Sequence, residues 1–496
     1  MFHIISVVSG RILLNHYRSF SSTEKLNFKQ EYMKRSINIV SFLVLILTAL
    51  PIIYLINIAV KYSVDIPSYD EWFFVPLFEK MFNGTLTLQD LWAQTNEHRL
   101  VVTKLLMLMF VKFTGWNLKY QIAFNIILCI GILTAFIYFL KRESKWFRHY
   151  LPTYLPTYLI IPNLSFMIFS LGQFENLLWG LQMLVFINVL AVVVGFILLT
   201  ESSMSWKSIS LSVFTGIIAL YNYAGGLLYW PIGLALIFFQ PRLAKVKKIK
   251  FIIFWILSTI AILLTYFYNY TRPAYEPPIP ITYPLQHFAE SIKLMLQILG
   301  SPLEMMNPNF SMILGLSGLI IFIILFMKFR NVKKNNSLVL FLLAIGFYGF
   351  TNAILTGAGR IGFGLNQRLI SRYSTTPELF WLSITILLFL YLNSARKTII
   401  SSKLKMFAIC LLVVITCLSV RSSYQGTRIA KSRSNLLQEV RKNFLQADPA
   451  NGIKIIMAIY PRTNVNGHTG AINLSDLARD LYTLSKYKLT FFKSIN

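Results

Sequence analysis

The sequence predicts an all-α polytopic membrane protein, and three observations carry that prediction. Hydrophobic residues fill 55% of the 496 positions. Charged residues fill only 13%, against the ~25% typical of globular chains. The mean hydropathy is +0.59, and the apolar residues gather into long uncharged runs. From Ile37 to Val60 no Asp, Glu, Lys, Arg or His occurs across 24 residues, and ~18 apolar residues already suffice to cross ~30 Å of hydrocarbon as a helix. These features exclude a disordered chain and a water-soluble enzyme.

Uncharged runs separated by basic loops mark about eleven spans, near 37–60, 119–140, 152–171, 179–200, 208–222, 225–240, 251–270, 310–327, 337–356, 378–394 and 406–420. Residues 1–36 are mostly polar and basic, and no small-residue cleavage motif follows the first run. They are expected to be a cytoplasmic N-terminal segment and not a cleavable signal. The net charge of +28 suggests nucleic acid at first sight. Mapped along the chain, however, the cations fall in short blocks between spans. The N-terminal segment and alternate loops hold 24 of the 47 Lys and Arg, while the short loops around Gln173 and Tyr223 hold none. Such cations set topology, so the N-terminus is expected in the cytoplasm and no nucleic-acid partner is expected. Cys129, Cys410 and Cys417 all lie within apolar runs, where they read as small core residues and imply no disulfide framework.

An odd number of spans leaves residues 421–496 outside. Helical spacing over 432–445, a β-branched run from Ile453 to Tyr460 and a helix start near 476–481 predict a small α/β outer-face domain there. Its 12 Lys and Arg are tolerated because long segments translocate largely regardless of charge.

The acidic residues point to the outer face. Of the 19 Asp and Glu, only Glu24, Glu31, Glu143 and Glu201 fall on the cytoplasmic side, and six (Asp65, Asp70, Glu71, Glu79, Asp90, Glu97) occupy the first outer segment, 61–118. The spacing predicts an amphipathic interfacial helix over 70–81, ended by Asn83-Gly84. A second helix is predicted from about Leu88 to Phe113, carrying Glu97, His98 and Arg99. A carboxylate at a partly desolvated interface has a raised pKa and suits a general base. Asp70 or Glu71 is therefore a candidate catalytic base or metal-binding carboxylate, although an N-terminal helix cap accounts for the acid pair as well. Glu97, His98 and Arg99 are three adjacent ionisable groups beside an apolar run and are candidates for binding substrate. Glu175, in the loop Gly172-Gln-Phe-Glu-Asn176, is flanked by apolar runs, a position at which ionisable groups usually face a cavity.

The late outer loop adds cations where topology disfavours them. Arg360, Arg368 and Arg372, the last followed by Tyr373, lie among glycines at 357, 359, 362 and 364. Arginine grips phosphate oxygens in pairs, and glycine lets backbone approach an anion. A phosphate site is therefore expected there. Carboxylate and arginines at one membrane face suit group transfer from a phosphate-linked lipid, with the arginines stabilising the departing phosphate. No Walker motif or Gly-rich nucleotide fold is present.

With Asp70-Glu71 just after the first span and Arg360, Arg368 and Arg372 in a late outer loop, residues 37–420 resemble the GT-C superfamily of polytopic glycosyltransferases. Within it they are similar to bacterial O-antigen-modifying glucosyltransferases. The resemblance implies Asp70 as the catalytic acid and a polyprenyl-phosphate-linked sugar as donor, its carrier phosphate held by the arginines. It implies a glycan or lipid acceptor and a bacterial inner-membrane location with the C-terminus in the periplasm. Asn96-Glu-His-Arg99, Gly172-Gln-Phe-Glu-Asn176 and Ser371-Arg-Tyr-Ser374 also resemble segments of uncharacterised bacterial membrane proteins. No cofactor is specified, and participation of a divalent metal stays open. An O-antigen polymerase is the alternative within the same compartment. A transporter or flippase is the alternative from another class, disfavoured because the spans are mostly uncharged.

Overall fold

A computed structural model describes residues 22–150, 160–201, 203–240, 243–271, 282–329, 337–363, 370–394, 399–445 and 474–494. Among these, every regular element is helical, apart from one isolated bridge between Thr95 and His98. The chain divides into two units, Met1–Leu50 and Pro51–Asn496. Helix α1 (Ser22–Tyr62) begins in the first unit and carries Pro51 inside it. The second unit continues through α2 (Val75–Phe82), α3 (Val101–Thr114), α4 (Leu118–Tyr150), α5 (Ile161–Ile168), α6 (Met183–Leu199), α7 (Trp206–Leu220), α8 (Tyr229–Phe239) and α9 (Lys245–Phe267). After these come α10 (Phe288–Gly300), α11 (Pro308–Phe329), α12 (Ser337–Arg360), α13 (Thr375–Ser394), α14 (Ile399–Leu445) and α15 (Leu474–Lys486).

Among the described residues, eight helical stretches are long and apolar enough to cross a membrane: 39–62, 118–143, 180–199, 245–267, 308–329, 337–363, 375–392 and 405–443. They match eight of the eleven expected spans, and the chain is an all-α, multi-pass membrane protein. Two further expected spans are the shorter apolar helices Trp206–Leu220 and Ala224–Phe239. The remaining one is represented by α5, with residues 151–159 outside the described set. Burial ranks the spans. The window in 375–392 is 94% buried and that in 180–199 is 78% buried, so α13 and α6 form the centre. The windows in 245–267, 308–329 and 405–443 are at most 28% buried and present apolar side chains outward, as lipid-facing helices do.

Two expectations are corrected. The helix predicted over 70–81 is a 3-10 turn, Tyr69–Phe74, followed by α2. The helix predicted from Leu88 to Phe113 breaks after Trp92 and resumes at Val101. Asn96, at φ +50°, takes a left-handed conformation that asparagine tolerates. The Thr95 and His98 backbones exchange hydrogen bonds of 2.8 and 3.0 Å across it. Glu97 and His98 therefore sit in a tight turn and not on a helix face.

The tail also differs from a detached domain. α14 runs without a break across the boundary expected at 420, so 421–445 continue the last span as one rod. Beyond it, α15 and the turn Thr490–Ser494 pack back on residues 82–115. Tyr487 stacks on Phe82 with ring centroids 4.3 Å apart and donates to Asn83 Oδ1 at 2.7 Å. The Thr490 N–H meets the Gly115 carbonyl at 2.9 Å. The strand expected at 453–460 lies outside the described residues.

Candidate active site

The acid pair splits into two environments. Glu71 is buried and closes a capping box: its Oε2 accepts from the Ser68 N–H at 2.7 Å, and its Oε1 accepts from the Leu181 N–H at 3.1 Å. Burial pushes its carboxyl up to about 8, with the two N–H groups acting against that rise. Glu71 thus pins the segment after α1 to the turn that opens α6, which is the capping role the sequence also allowed. Successive residues in a tight helical turn point in different directions, so Asp70 faces elsewhere. It is half-buried, and its carboxylate makes no hydrogen bond among the described residues. Burial raises its pKa, Arg372, Arg360 and His98 pull it back, and Glu97 pushes it further up.

Those four neighbours come from distant stretches of chain. The turn at 95–98 delivers Glu97 and His98, and Arg360 at the end of α12 forms an ion pair with Glu97. His98 Nε2 lies 3.9 Å from the same carboxylate. His98 Nδ1 accepts from the Ala224 N–H at 3.2 Å, which leaves Nε2 as the protonated nitrogen of the neutral ring. The ring packs on Tyr223 at 5.1 Å. Burial lowers the His98 pKa despite the opposing pull of Glu97. Burial also pushes Glu97 up, but Arg360, His98 and Arg372 outweigh it and hold that carboxyl below its ordinary value.

Arg372 is set by a buried polar lattice. Asn176 donates to the Arg372 carbonyl at 2.9 Å and to Thr375 Oγ1 at 2.6 Å. Ser371 donates to the Gly172 carbonyl at 3.1 Å, Thr375 donates to Gln173, and Gln173 Nε2 donates to Glu378 at 2.8 Å. The 172–176 and 371–375 segments are therefore one fitted joint. The guanidinium projects from it over the Tyr69 ring (5.1 Å) and the Trp179 ring (5.0 Å). Its Nε is buried and has no hydrogen-bond partner among the described residues. Tyr69 itself holds φ at +46°, a strained backbone for an aromatic residue, immediately before Asp70.

The other expected site residues distribute as follows. Tyr373 lies beneath the Arg360 guanidinium, 5.7 Å from its ring centre. Arg99 is buried and spent on the backbone carbonyls of Trp92, Tyr266 and Tyr268, which makes it a tie between the 92–99 stretch and the end of α9 and not an anion seat. Glu175 is buried within the joint, with Oε2 unpartnered among the described residues. Arg368 lies outside the described residues. No group of three or more His, Cys, Asp or Glu suited to a metal occurs among the described residues. Sequence reasoning missed Tyr69 and Arg433, whose guanidinium lies 5.8 Å from the Tyr69 ring centre. No family model, curated protein or solved structure matches the chain.

Proposed function

We propose that this protein is a membrane glycosyltransferase that moves a sugar from a polyprenyl-phosphate-linked donor to a glycan or lipid acceptor at the outer face of a bacterial inner membrane. The observation that supports it is the convergence of Asp70 with Arg372, Arg360, Glu97 and His98, drawn from the first and the late outer segments. Asp70 takes the proton of the acceptor hydroxyl. The freed oxygen bonds to the anomeric carbon, and the bond from that carbon to the donor phosphate breaks with its electron pair on phosphate oxygen. Arg372 faces that developing charge, where a fixed cation is worth most. Arg360, already paired with Glu97, supplies a second cation beside it. The raised pKa of Asp70 makes its carboxylate a stronger proton acceptor than an exposed one, as a general base requires.

The test is transfer in isolated membranes from radiolabelled polyprenyl-phosphate sugars, comparing wild type with Asp70→Asn and Arg372→Ala at matched expression. Each variant is expected to lose transfer by about a hundredfold or more, the range for a removed general base or charge stabiliser. Full transfer in both variants removes the site from this position. Chain lengthening in place of single-sugar addition assigns the cluster to a polymerase.

A further inference from the structure

The lipid-facing side of α14 changes character part-way along. Ile409, Val413 and Val420 are exposed at helical spacing, and the same stripe continues into Tyr424, Arg428 and Lys431, all exposed. α14 does not break between the two halves. One continuous face therefore passes from apolar to cationic.

The change marks the edge of the hydrocarbon. From Lys405 to Arg421 the helix rises about 24 Å, and cationic side chains reaching outward at both ends extend that to the ~30 Å of a bilayer core. A second ruler agrees. Tyr54 of α1 shares a hydrogen bond of 2.7 Å with Thr427, and Tyr54 and Tyr424 are both exposed, as tyrosines at headgroup level are. Arg428 and Lys431 therefore stand at the depth of lipid phosphates, at the end of the bundle where Arg433 meets Tyr69.

Availability separates these two from other cations of the helix. Arg421 is held by Glu304 at 2.6 Å, and Arg433 and Arg441 make contacts of their own. Arg428 and Lys431 make no hydrogen bond or ion pair among the described residues, and neither does the Tyr424 hydroxyl. Residues three and four apart are neighbours on a helix surface, where like charges repel. An anion seated between Arg428 and Lys431 relieves that repulsion.

We propose that Tyr424, Arg428 and Lys431 form a seat for one anionic phospholipid of the surrounding leaflet, its phosphate between the two cations and its acyl chains along Val420 and Val413. The lipid lies on the outside of the helix, so no cavity has to enclose it. The buried side of the same turns carries the consequence. Ser170 Oγ donates to the Ser419 carbonyl at 3.1 Å, and the Leu171 N–H donates to Ser423 Oγ at 3.1 Å. Those residues lead directly into 172–176, half of the joint that seats Arg372. A lipid holding α14 from outside braces that joint from behind. The proposal goes beyond the transfer reaction and does not depend on it.

The experiment uses the full chain, delipidated in a neutral detergent, with retention of titrated phosphatidylglycerol read by native mass spectrometry. Arg428→Gln and Lys431→Gln are each expected to weaken retention about tenfold or more, as for loss of a hydrogen bond to a charged group. Lys442→Gln removes the same charge from an exposed position about 16 Å beyond Lys431. It is expected to stay within about twofold, the scale of a screened surface charge. Phosphatidylcholine with the same chains is expected to compete at least tenfold less well. Added phosphatidylglycerol is expected to raise the unfolding temperature of the wild type, and to do so less in Arg428→Gln and Lys431→Gln. Equal losses in Arg428→Gln and Lys442→Gln mean diffuse attraction to a basic helix and overturn the proposal. Equal competition by phosphatidylcholine means apolar adhesion and overturns it too, as does an equal thermal shift in all variants. Displacement of phosphatidylglycerol by equimolar undecaprenyl phosphate gives the seat to an isoprenoid carrier and overturns the phospholipid assignment. Asp70→Asn is expected to retain phosphatidylglycerol as the wild type does, whatever its effect on transfer.

Discussion

Glu71 makes a prediction whose size and sign both come from its surroundings. Replacing it with Ala leaves the Ser68 and Leu181 N–H groups buried without acceptors. At about 1–3 kcal/mol for each orphaned group, the loss is ~2–6 kcal/mol. Replacement with Gln keeps one acceptor oxygen and is expected to cost roughly half as much. The pH dependence is the sharper test. The carboxyl rises from its ordinary 4.5 to about 8 on folding, so the folded chain holds this proton more tightly than the unfolded one. The associated stability is fully present below 4.5 and is lost as pH climbs through 8. At ~1.4 kcal/mol per pH unit, the wild type gives up on the order of 5 kcal/mol over that interval. The assay is thermal unfolding in detergent at closely spaced pH values, comparing wild type with Glu71→Gln. Asp65, which burial pushes up to about 6, titrates in both chains, so the difference in slope isolates Glu71. Parallel slopes between pH 4.5 and 8 would refute the assignment of Glu71 as a buried, protonated post.

Asn176→Ala removes two hydrogen bonds that seat Arg372, and about 2 kcal/mol of stability is expected to go with them; an unchanged unfolding midpoint would mean the joint is held by something else. Gly426→Ala puts a Cβ 1.9 Å from the Leu171 carbonyl oxygen, a collision with backbone that cannot rotate away. It is expected to cost about 1–3 kcal/mol or more and to lower the yield of folded protein on size exclusion. Tyr487→Ala removes both the stack on Phe82 and the bond to Asn83. Faster limited proteolysis near Asn83-Gly84 is expected, and an unchanged cleavage pattern would count against the clasp.

The spans were legible because hydrocarbon thickness imposes a length that a sequence must display. Eight expected positions are long apolar helices, and the two short ones, Trp206–Leu220 and Ala224–Phe239, were readable as apolar but not as short. The end of α14 was not legible. The apolar run stops where Arg421 begins the basic stretch, but Lys, Arg, Gln and Leu are good helix formers and the rod goes on. At the site, the acids of 61–118 and the late arginines stood out in the sequence, and the three short segments 96–99, 172–176 and 371–374 prove to be neighbours. Which of Asp70 and Glu71 was the cap depended on Leu181, 110 residues away, and no local pattern encodes that. Arg99 looked like its neighbours in sequence but is consumed by carbonyls at the end of α9. The 95–98 turn hid because Asn96 accepts a left-handed backbone within an otherwise helix-like pattern.

The clasp of Tyr487 and Thr490 on Phe82, Asn83 and Gly115 has a consequence for biosynthesis. The segment carrying Phe82 and Asn83 leaves the ribosome about 400 residues before Tyr487, so the clasp forms only after the intervening helices have been made. A chain arrested before residue 474 would carry all of the long apolar helices and still lack the contacts that hold Phe82, Asn83 and Gly115.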